Sequence, residues 1–597
     1  MVVGRVQFGG AGVRSRVLSA RAGPMHRLLG KQLRNGCPHV GGHRFVRRCS
    51  SEPISEEAEQ GVIEILQEDD GVVAGNGSPV VMEMEMEEPQ DTGCDLEVDA
   101  VLQKELKENG VRSTRRTRII CTIGPATEAP EMLEKLARNG MNVARLNMCH
   151  ATPDWHRTVI KRIRKMNQEK GYSVAVMLDT EGSEVHISSL HNPRRVEVAD
   201  EVTFTVRNPP YSDRVFGVSY DAFIYDIEVG DQVIVDGGMV LLEVIDKAGP
   251  DVHCRCIDPG LILSRANLTF KRTGHLIRGQ NANLSVVTAK DWQDIDFAIE
   301  NMVDFIAISF VKSAEVIENL SHYIKRQNGG DHMEIIAKIE SVDSLPNLDS
   351  IARASDGLMV ARGDLGAQIA LDEVPSVQKE IVIKGRELGK PVIVASHLLQ
   401  SMIDNPIPTR AEVADVADVV RQRADGLMLC SESAAGNYPD KSLDVLRSVS
   451  TQVEEWCRQE QNFGGIKLPS IAKSDDGMVS EELCASAAMM ANNLGASAIF
   501  VFTRRGFMAN FLSRLRPECP IFAFTDRQSV RRRMNLRWGV MPFRMSFDGS
   551  PEDNITRTFR FLKVRKLVDS GDLVVVVSDI RPEPSEVVRS IQVRHVL

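Results

Sequence analysis

From residue 117 onward, short β-branched stretches alternate with longer helical patterns, and this alternation narrows the possible folds more than any other feature of the chain. Eight strand-like stretches fall before residue 440: 118–122, 142–147, 173–179, 304–309, 334–339, 357–360, 391–395 and 426–429. Helix-length periodic segments lie between them, among them 130–139, 313–326, 374–388 and 410–422. Successive βα units bury a parallel sheet beneath their own helices, so eight of them predict an α/β fold, a closed (β/α)8 TIM barrel.

One interval breaks the rhythm. Between Asp179 and the helical pattern at 289–301 stand about a hundred residues with Gly, Asp and Pro turns and short alternating strands such as 232–236 and 241–245. This predicts a β-rich domain inserted after strand 3. It enters at the carboxyl end of a barrel strand, where barrels carry their sites, so it is placed to act as a lid that excludes water. Beyond Asn462 a loop is expected to lead to Asp475–Gly477, followed by three or four βα units with a helix at 481–493 and strands at 498–502, 521–524 and 573–577, a separate C-terminal α/β domain.

Charge divides the start of the chain from the rest. The net charge of −10 over 597 residues has the wrong sign for a protein whose main task is to hold nucleic-acid phosphates. Residues 1–50 contain ten basic side chains and no acid, whereas 51–100 contain sixteen acids and no Lys or Arg. An acid-free, Arg-rich start without a continuous apolar core reads as an organelle transit peptide; a basic tail is the plainer alternative. Residues 15–34 have the pattern of a basic amphipathic helix, and composition alone does not choose the organelle. The expected division is a transit peptide (1–50), an acidic disordered linker (51–112), the first part of the barrel (113–184), the inserted lid (185–284), the second part of the barrel (285–462) and the C-terminal domain (475–597). The longest aliphatic run, Leu573 to Val577, is far shorter than the roughly 20 residues of a membrane span.

Eleven cysteines form no framework. Cys254 and Cys256 sit in an expected strand and are read as facing opposite sides. Cys37, His39, His43 and Cys49 imitate a zinc spacing only within the leader, so free thiols are expected.

Polar residues collect where the barrel strands end. Arg145 and Asn147 follow strand two, Asp179 and Thr180 strand three, and Lys338 and Glu340 strand five; Arg362-Gly363-Asp364-Leu365-Gly366 follows strand six, Ser396 strand seven and Glu432 strand eight. Glu340 and Asp364 supply hard oxygen ligands of the kind Mg²⁺ prefers. Lys338, two residues from Glu340, points the same way, and an ammonium beside a metal suits a transferring phosphoryl group or an enolate. The turn at Gly363 and Asp364 offers backbone N–H groups to a carboxylate.

Six ordered motifs then carry a specific resemblance: 117–125 (TRIICTIGP), 141–147 (MNVARLN), 177–180 (MLDT), 336–341 (IAKIES), 359–366 (MVARGDLG) and 408–416 (PTRAEVADV). Over about residues 115–595 the chain resembles the pyruvate kinase family, with variants (DTEGSE at 179–184, NMCH at 147–150) similar to the plastid alpha-type subunit. The resemblance implies transfer of the phosphoryl group of phosphoenolpyruvate to ADP, with Mg²⁺ and K⁺ as cofactors. By motif, Lys338 stabilises the phosphoryl transition state and the enolate, Arg145 contacts the phosphate, and Glu340 and Asp364 hold Mg²⁺. Gly363 and Asp364 cradle the carboxylate, and Ser396 stands where the family has a Thr linked to enolate protonation. Asn147, Asp179 and Thr180 match K⁺ ligands, and Glu184 matches the Glu that accompanies K⁺ dependence.

Several positions depart from that pattern. Cys149 replaces a K⁺-ligating Ser, and thiol sulfur is a poor partner for a hard cation. Glu181 and His186 replace a Lys and an Arg; His186 stands at the nucleotide contact, where losing a fixed cation weakens polyphosphate binding. The stretches Thr503-Arg504-Arg505-Gly506-Phe507 and Ser578-Asp579-Ile580-Arg581-Pro582-Glu583 stand where the family binds a sugar bisphosphate. The acids Asp579 and Glu583 predict no activation by fructose 1,6-bisphosphate. The resemblance also implies homo- or hetero-oligomers with beta-type subunits and the plastid stroma, against a mitochondrial or cytoplasmic alternative, with no nucleic-acid or membrane partner. A weakly active regulatory subunit is the alternative function.

Overall fold

The computed structural model describes residues 96–596, apart from 184, 189, 191, 208–213, 237, 263, 274, 277–284, 328, 329, 331, 460–467 and 579–588; all of these belong to one compact unit, Glu87–Leu597. The expected transit peptide, the zinc-like Cys/His group, Glu184, Asp579 and Glu583 lie outside the described residues.

Eight parallel strands close into a barrel: β1 (Arg118–Thr122), β2 (Val143–Asn147), β3 (Ala175–Asp179), β4 (Phe305–Ile308), β5 (Glu334–Ile339), β6 (Gly357–Ala361), β7 (Val392–Ala395) and β8 (Gly426–Leu429). Each pairs with its chain neighbour and β1 pairs with β8, Arg118 opposite Gly426. The strands are buried on both faces. One face packs against helices such as Ala314–Arg326 and Val374–Leu388, and the other fills the barrel interior with Ile120, Val143, Met177, Phe305, Ile336, Met359, Ile393 and Met428. Leu536, from the C-terminal part of the chain, joins that interior cluster. The barrel is therefore a packed core, and its chemistry is confined to the strand ends.

Between β3 and the helix Ala289–Glu300 lies a seven-stranded sheet, whose core includes Phe204, Phe216, Phe223 and Phe270. Cys254 and Cys256 are both buried in this core, in the strand Asp251–Asp258. The expectation that they face opposite sides is corrected, because side chains two apart on a strand share a face.

The C-terminal five-stranded sheet has four parallel strands, Val540–Arg544, Ile521–Thr525, Ala498–Phe502 and Leu573–Ser578, and an antiparallel edge strand, Ser590–His595. The helix expected at 481–493 begins earlier, as Asp475–Leu494, with Asp475–Gly477 in its first turn and the Ser474 side chain accepting from the Gly477 N–H as its cap.

The linker expected to continue to residue 112 is corrected over its last part. Ala100–Ser113 is a helix with a kink at Gly110, and Leu96, Leu102 and Leu106 are buried in the C-terminal sheet's core. Acidic composition hid the apolar stripe, since Leu102 and Leu106 lie one helical turn apart.

Candidate active site

The carboxyl ends of β2, β3, β4 and β5 converge on a buried charge network. Asp179 ends β3 and has no solvent exposure. Its Oδ2 accepts from Nε and Nη2 of Arg145 at 2.9 and 2.7 Å, and its Oδ1 lies 3.0 Å from Lys338 Nζ. Lys338 Nζ also reaches Glu340 Oε1 at 2.8 Å and donates to Ser309 Oγ at 2.8 Å. A buried ammonium survives only when paired. Burial alone would pull Lys338 down, but Asp179 and Glu340 more than reverse this and hold it charged well above its ordinary value. Arg145 is likewise raised against burial by Asp179. Burial would raise Asp179, yet Lys338 and Arg145 keep it below the usual carboxylate range.

Glu340 is pushed up to about 7, first by burial and further by the nearby Asp364, while Lys338 opposes the rise. Its Oε2 accepts from the Phe310 N–H at 2.7 Å. Asp364 lies in the first turn of the short helix Arg362–Gln368, which follows β6 directly. Two neighbouring carboxylates, Glu340 buried and Asp364 half-buried, repel until a cation lies between them, so this pair fits Mg²⁺. Among the described residues no three His, Cys, Asp or Glu side chains converge on one point, which leaves the remaining ligand positions to substrate and water.

Ser396 follows β7 with φ of 71°, and His397 follows with φ of 54°. Arg362 holds this strained turn by donating to the carbonyls of Ser396 (3.0 and 2.8 Å) and His397 (2.9 Å). A side chain at Gly363 would come within 3.6 Å of the Ser396 Cβ, so the glycine leaves the space in front of the Ser396 hydroxyl open.

Asn147 lies opposite Asp179 in the β2–β3 register, and its Oδ1 accepts from the Cys149 N–H at 3.3 Å. Burial pushes the Cys149 thiol up to about 12, so it is a neutral donor. The Thr180 carbonyl accepts from Ser309 Oγ at 2.7 Å. The residues expected to hold K⁺ are thus three oxygen-bearing side chains plus a thiol, a weaker match to that ion than an all-oxygen set.

His186 does not stand alone. Its Nε2 is 3.9 Å from Glu181 Oε1, and the same carboxylate is held by Arg265 of the inserted domain and lies 3.4 Å from Lys290. The Lys-to-Glu change at 181 thus recruits cations from elsewhere. Arg265 adopts a positive φ of 59°, and Asn267, two residues on, donates to Asp364 Oδ1 at 3.2 Å. The inserted domain thus reaches the barrel mouth directly.

One of the polar residues at the strand ends has a structural place. Glu432 is fully buried and accepts from the N–H groups of Leu399 and Cys430, so it fastens the loops after β7 and β8. Conversely, sequence reasoning missed Thr122, which accepts from Arg145 Nη1 at 3.2 Å, and Ser309. Thr122 ends β1 and Ser309 directly follows β4, and the strand-end rule applied to all eight strands would have found them. Asn267 and Arg265 carried no such signal.

A barrel mouth that buries a charged ammonium and guanidinium beside the neighbouring carboxylates of Glu340 and Asp364, under a second domain, defines an enzyme that manages negative charge on a small anionic substrate. Comparison with known proteins makes this particular. Residues 114–443 match the family model described as "Pyruvate kinase, barrel domain", and residues 481–590 match "Pyruvate kinase, alpha/beta domain". The chain is 58% identical over 505 residues (84% of this chain, 85% of the relative) to "Pyruvate kinase isozyme A, chloroplastic" of Ricinus communis. It is 54% identical over 572 residues (94% and 95%) to the protein of that name from Nicotiana tabacum, and 42% over 486 residues (81% of each) to "Plastidial pyruvate kinase 2" of Arabidopsis thaliana. The chain belongs to the pyruvate kinase family and is a phosphotransferase.

Proposed function

We propose that the chain is a catalytically competent plastid subunit whose reaction is carried by the network around Lys338. The observation behind this reading is that Lys338 is buried yet fixed in its charged form between Asp179, Glu340 and Ser309. In the reaction an oxygen of the terminal ADP phosphate bonds to the phosphorus of phosphoenolpyruvate, the bond from phosphorus to the enol oxygen breaks, and the enolate takes a proton at its methylene carbon to give pyruvate and ATP. Phosphoryl transfer asks the protein chiefly to position groups and neutralise charge. Arg145 and Lys338 bind the phosphoryl oxygens, and Lys338 also faces the enolate oxygen as negative charge develops there. Gly363 and Asp364 offer backbone N–H groups to the substrate carboxylate. Ser396, with its hydroxyl free of strong partners, stands on the protonation side.

Glu340 and Asp364 would hold Mg²⁺, which when bound neutralises phosphoryl oxygens. Asn147, Asp179 and Thr180 would hold K⁺, with Cys149 as a weak fourth group. His186 and Arg265, gathered by Glu181, line the nucleotide side. The chloroplastic names of the relatives and the acid-free leader support a plastid stroma location, and the motif resemblance supports assembly with itself or with beta-type subunits. Among the described residues no helix is long and apolar enough to cross a membrane.

The test is pyruvate formation by the purified chain, alone and mixed with a beta-type subunit. Activity of the chain alone that is abolished by Lys338→Met supports this reading. Activity confined to the mixture and indifferent to that substitution refutes it.

A further inference from the structure

At the opposite end of the barrel from this site, the amino-terminal side of its strands meets the C-terminal domain around a cavity of about 730 Å³. Five arginines line it: Arg164 from the barrel helix Pro153–Lys170, and Arg531, Arg532, Arg544 and Arg565 from the C-terminal domain. The carboxylates facing them are few. Glu97 bridges Arg531 Nη1 (3.1 Å) and Arg544 Nη1 (2.6 Å), Asp304 accepts from Arg532 Nε (2.8 Å), and Asp99 acts on Arg531 from nearby. Arg164 is spent on the carbonyls of Asn301 and Met302, while Arg565 is exposed beside the Phe561 ring. Positive charge exceeds negative on these walls.

Arg531 is the decisive residue. Its side chain is only 2% exposed, yet Nε and Nη2 have no hydrogen-bond partner among the described residues. An unsatisfied buried donor of a charged group costs more than a neutral one. The partner it does have, Glu97, is nearly half exposed and belongs to a short segment bridged to Arg544 through backbone hydrogen bonds of 2.7 and 3.2 Å. Glu97 therefore occupies the place of an anion without satisfying the whole cluster.

We infer that this cavity is a binding site for a small phosphorylated metabolite. Planar guanidinium forks match phosphate oxygens two at a time, and the volume lies within the range of metabolite pockets, well beyond what a single inorganic ion fills. Because its walls come from both the barrel and the C-terminal domain, an occupant ties the two together. The site is independent of the roles assigned at the barrel mouth.

The test is isothermal titration of the full chain with pyrophosphate, with chelator present so that no divalent cation recruits the probe to the barrel mouth. Three single variants are compared. Arg531→Gln and Arg565→Gln should each weaken binding about tenfold, the loss of one charge-assisted pair. Glu97→Gln, which removes the competing carboxylate, should tighten it several-fold. Arg565 is exposed, so its variant folds even if Arg531→Gln does not. Wild-type affinity in both Arg565→Gln and Glu97→Gln, or no pyrophosphate binding by the wild-type chain, overturns the inference.

Discussion

Replacing Ser309 by alanine tests the catalytic geometry at a residue to which the sequence assigned no role of its own. Its hydroxyl does two things: it donates to the Thr180 carbonyl at 2.7 Å and accepts from Lys338 Nζ at 2.8 Å, while its own N–H donates to Thr180 Oγ1 at 3.1 Å. The side chain is buried, with only 1% exposure, and so is Lys338, with 8%, so water does not readily replace the lost contacts. A hydrogen bond to a charged group contributes about 1.5–3 kcal/mol, which if lost wholly from the transition state is roughly 10- to 150-fold in rate. Asp179 and Glu340 still hold the ammonium charged, so alanine removes its third fixed point and not its charge. The lower end, about tenfold in kcat, follows, with KM for ADP unchanged. Space is also constrained from the other side. Gly182 has φ of +79°, and a side chain there would meet the Ser309 Cβ at 2.6 Å, so the serine is held in place by close backbone approach. Steady-state kinetics and thermal unfolding of the same preparation decide the matter. A kcat within twofold of wild type in a folded variant refutes the reasoning, and a lowered Tm with unchanged kcat reduces Ser309 to a structural residue.

Other outcomes follow from the same geometry. Cys149→Ser replaces a neutral thiol by a hydroxyl and should lower the K⁺ concentration giving half-maximal activity, with Mg²⁺ dependence unmoved; titration with KCl reads both. In the inserted domain, Asp231 lies below the usual carboxylate range: burial opposes this, but Arg272 (2.8 Å to each oxygen) and the Glu228 N–H (2.7 Å) prevail. A lowered folded-state value means its stabilisation is present above about pH 4 and is lost as pH falls further. Asp231→Asn should therefore lower the melting temperature at pH 7, and the gap to wild type should narrow as pH falls below the ordinary carboxylate value. Fructose 1,6-bisphosphate should leave the affinity for phosphoenolpyruvate unchanged, and a clear rise in that affinity on adding it would refute the reading of Asp579 and Glu583.

The sequence by itself determined the architecture and the inventory of the mouth. Strand and helix periods are local, so the expected stretches 118–122, 334–339 and 426–429 coincide with β1, β5 and β8, and the helices Val374–Leu388 and Arg410–Gln422 begin and end as expected. Strand ends mark the chemistry because a barrel directs all eight to one rim, which is why Arg145, Asp179, Lys338 and Glu340 were legible and do meet. Tertiary structure decided what local pattern cannot encode. The partners of Lys338 come from three strands, and Ser309 among them lies 29 residues away in sequence. Glu181, a charge reversal when read alone, becomes the anchor for Arg265, 84 residues on. Glu432, one of the polar residues at the strand ends, closes two backbone loops because its fully buried carboxylate needs donors and the nearest are N–H groups. The acidic stretch ends in a helix that belongs to a distant core, since burial of Leu102 and Leu106 depends on a surface supplied more than 390 residues later. The five-arginine cavity has the same origin: charge scattered over residues 164–565 becomes one site only when the barrel and the C-terminal sheet are brought together.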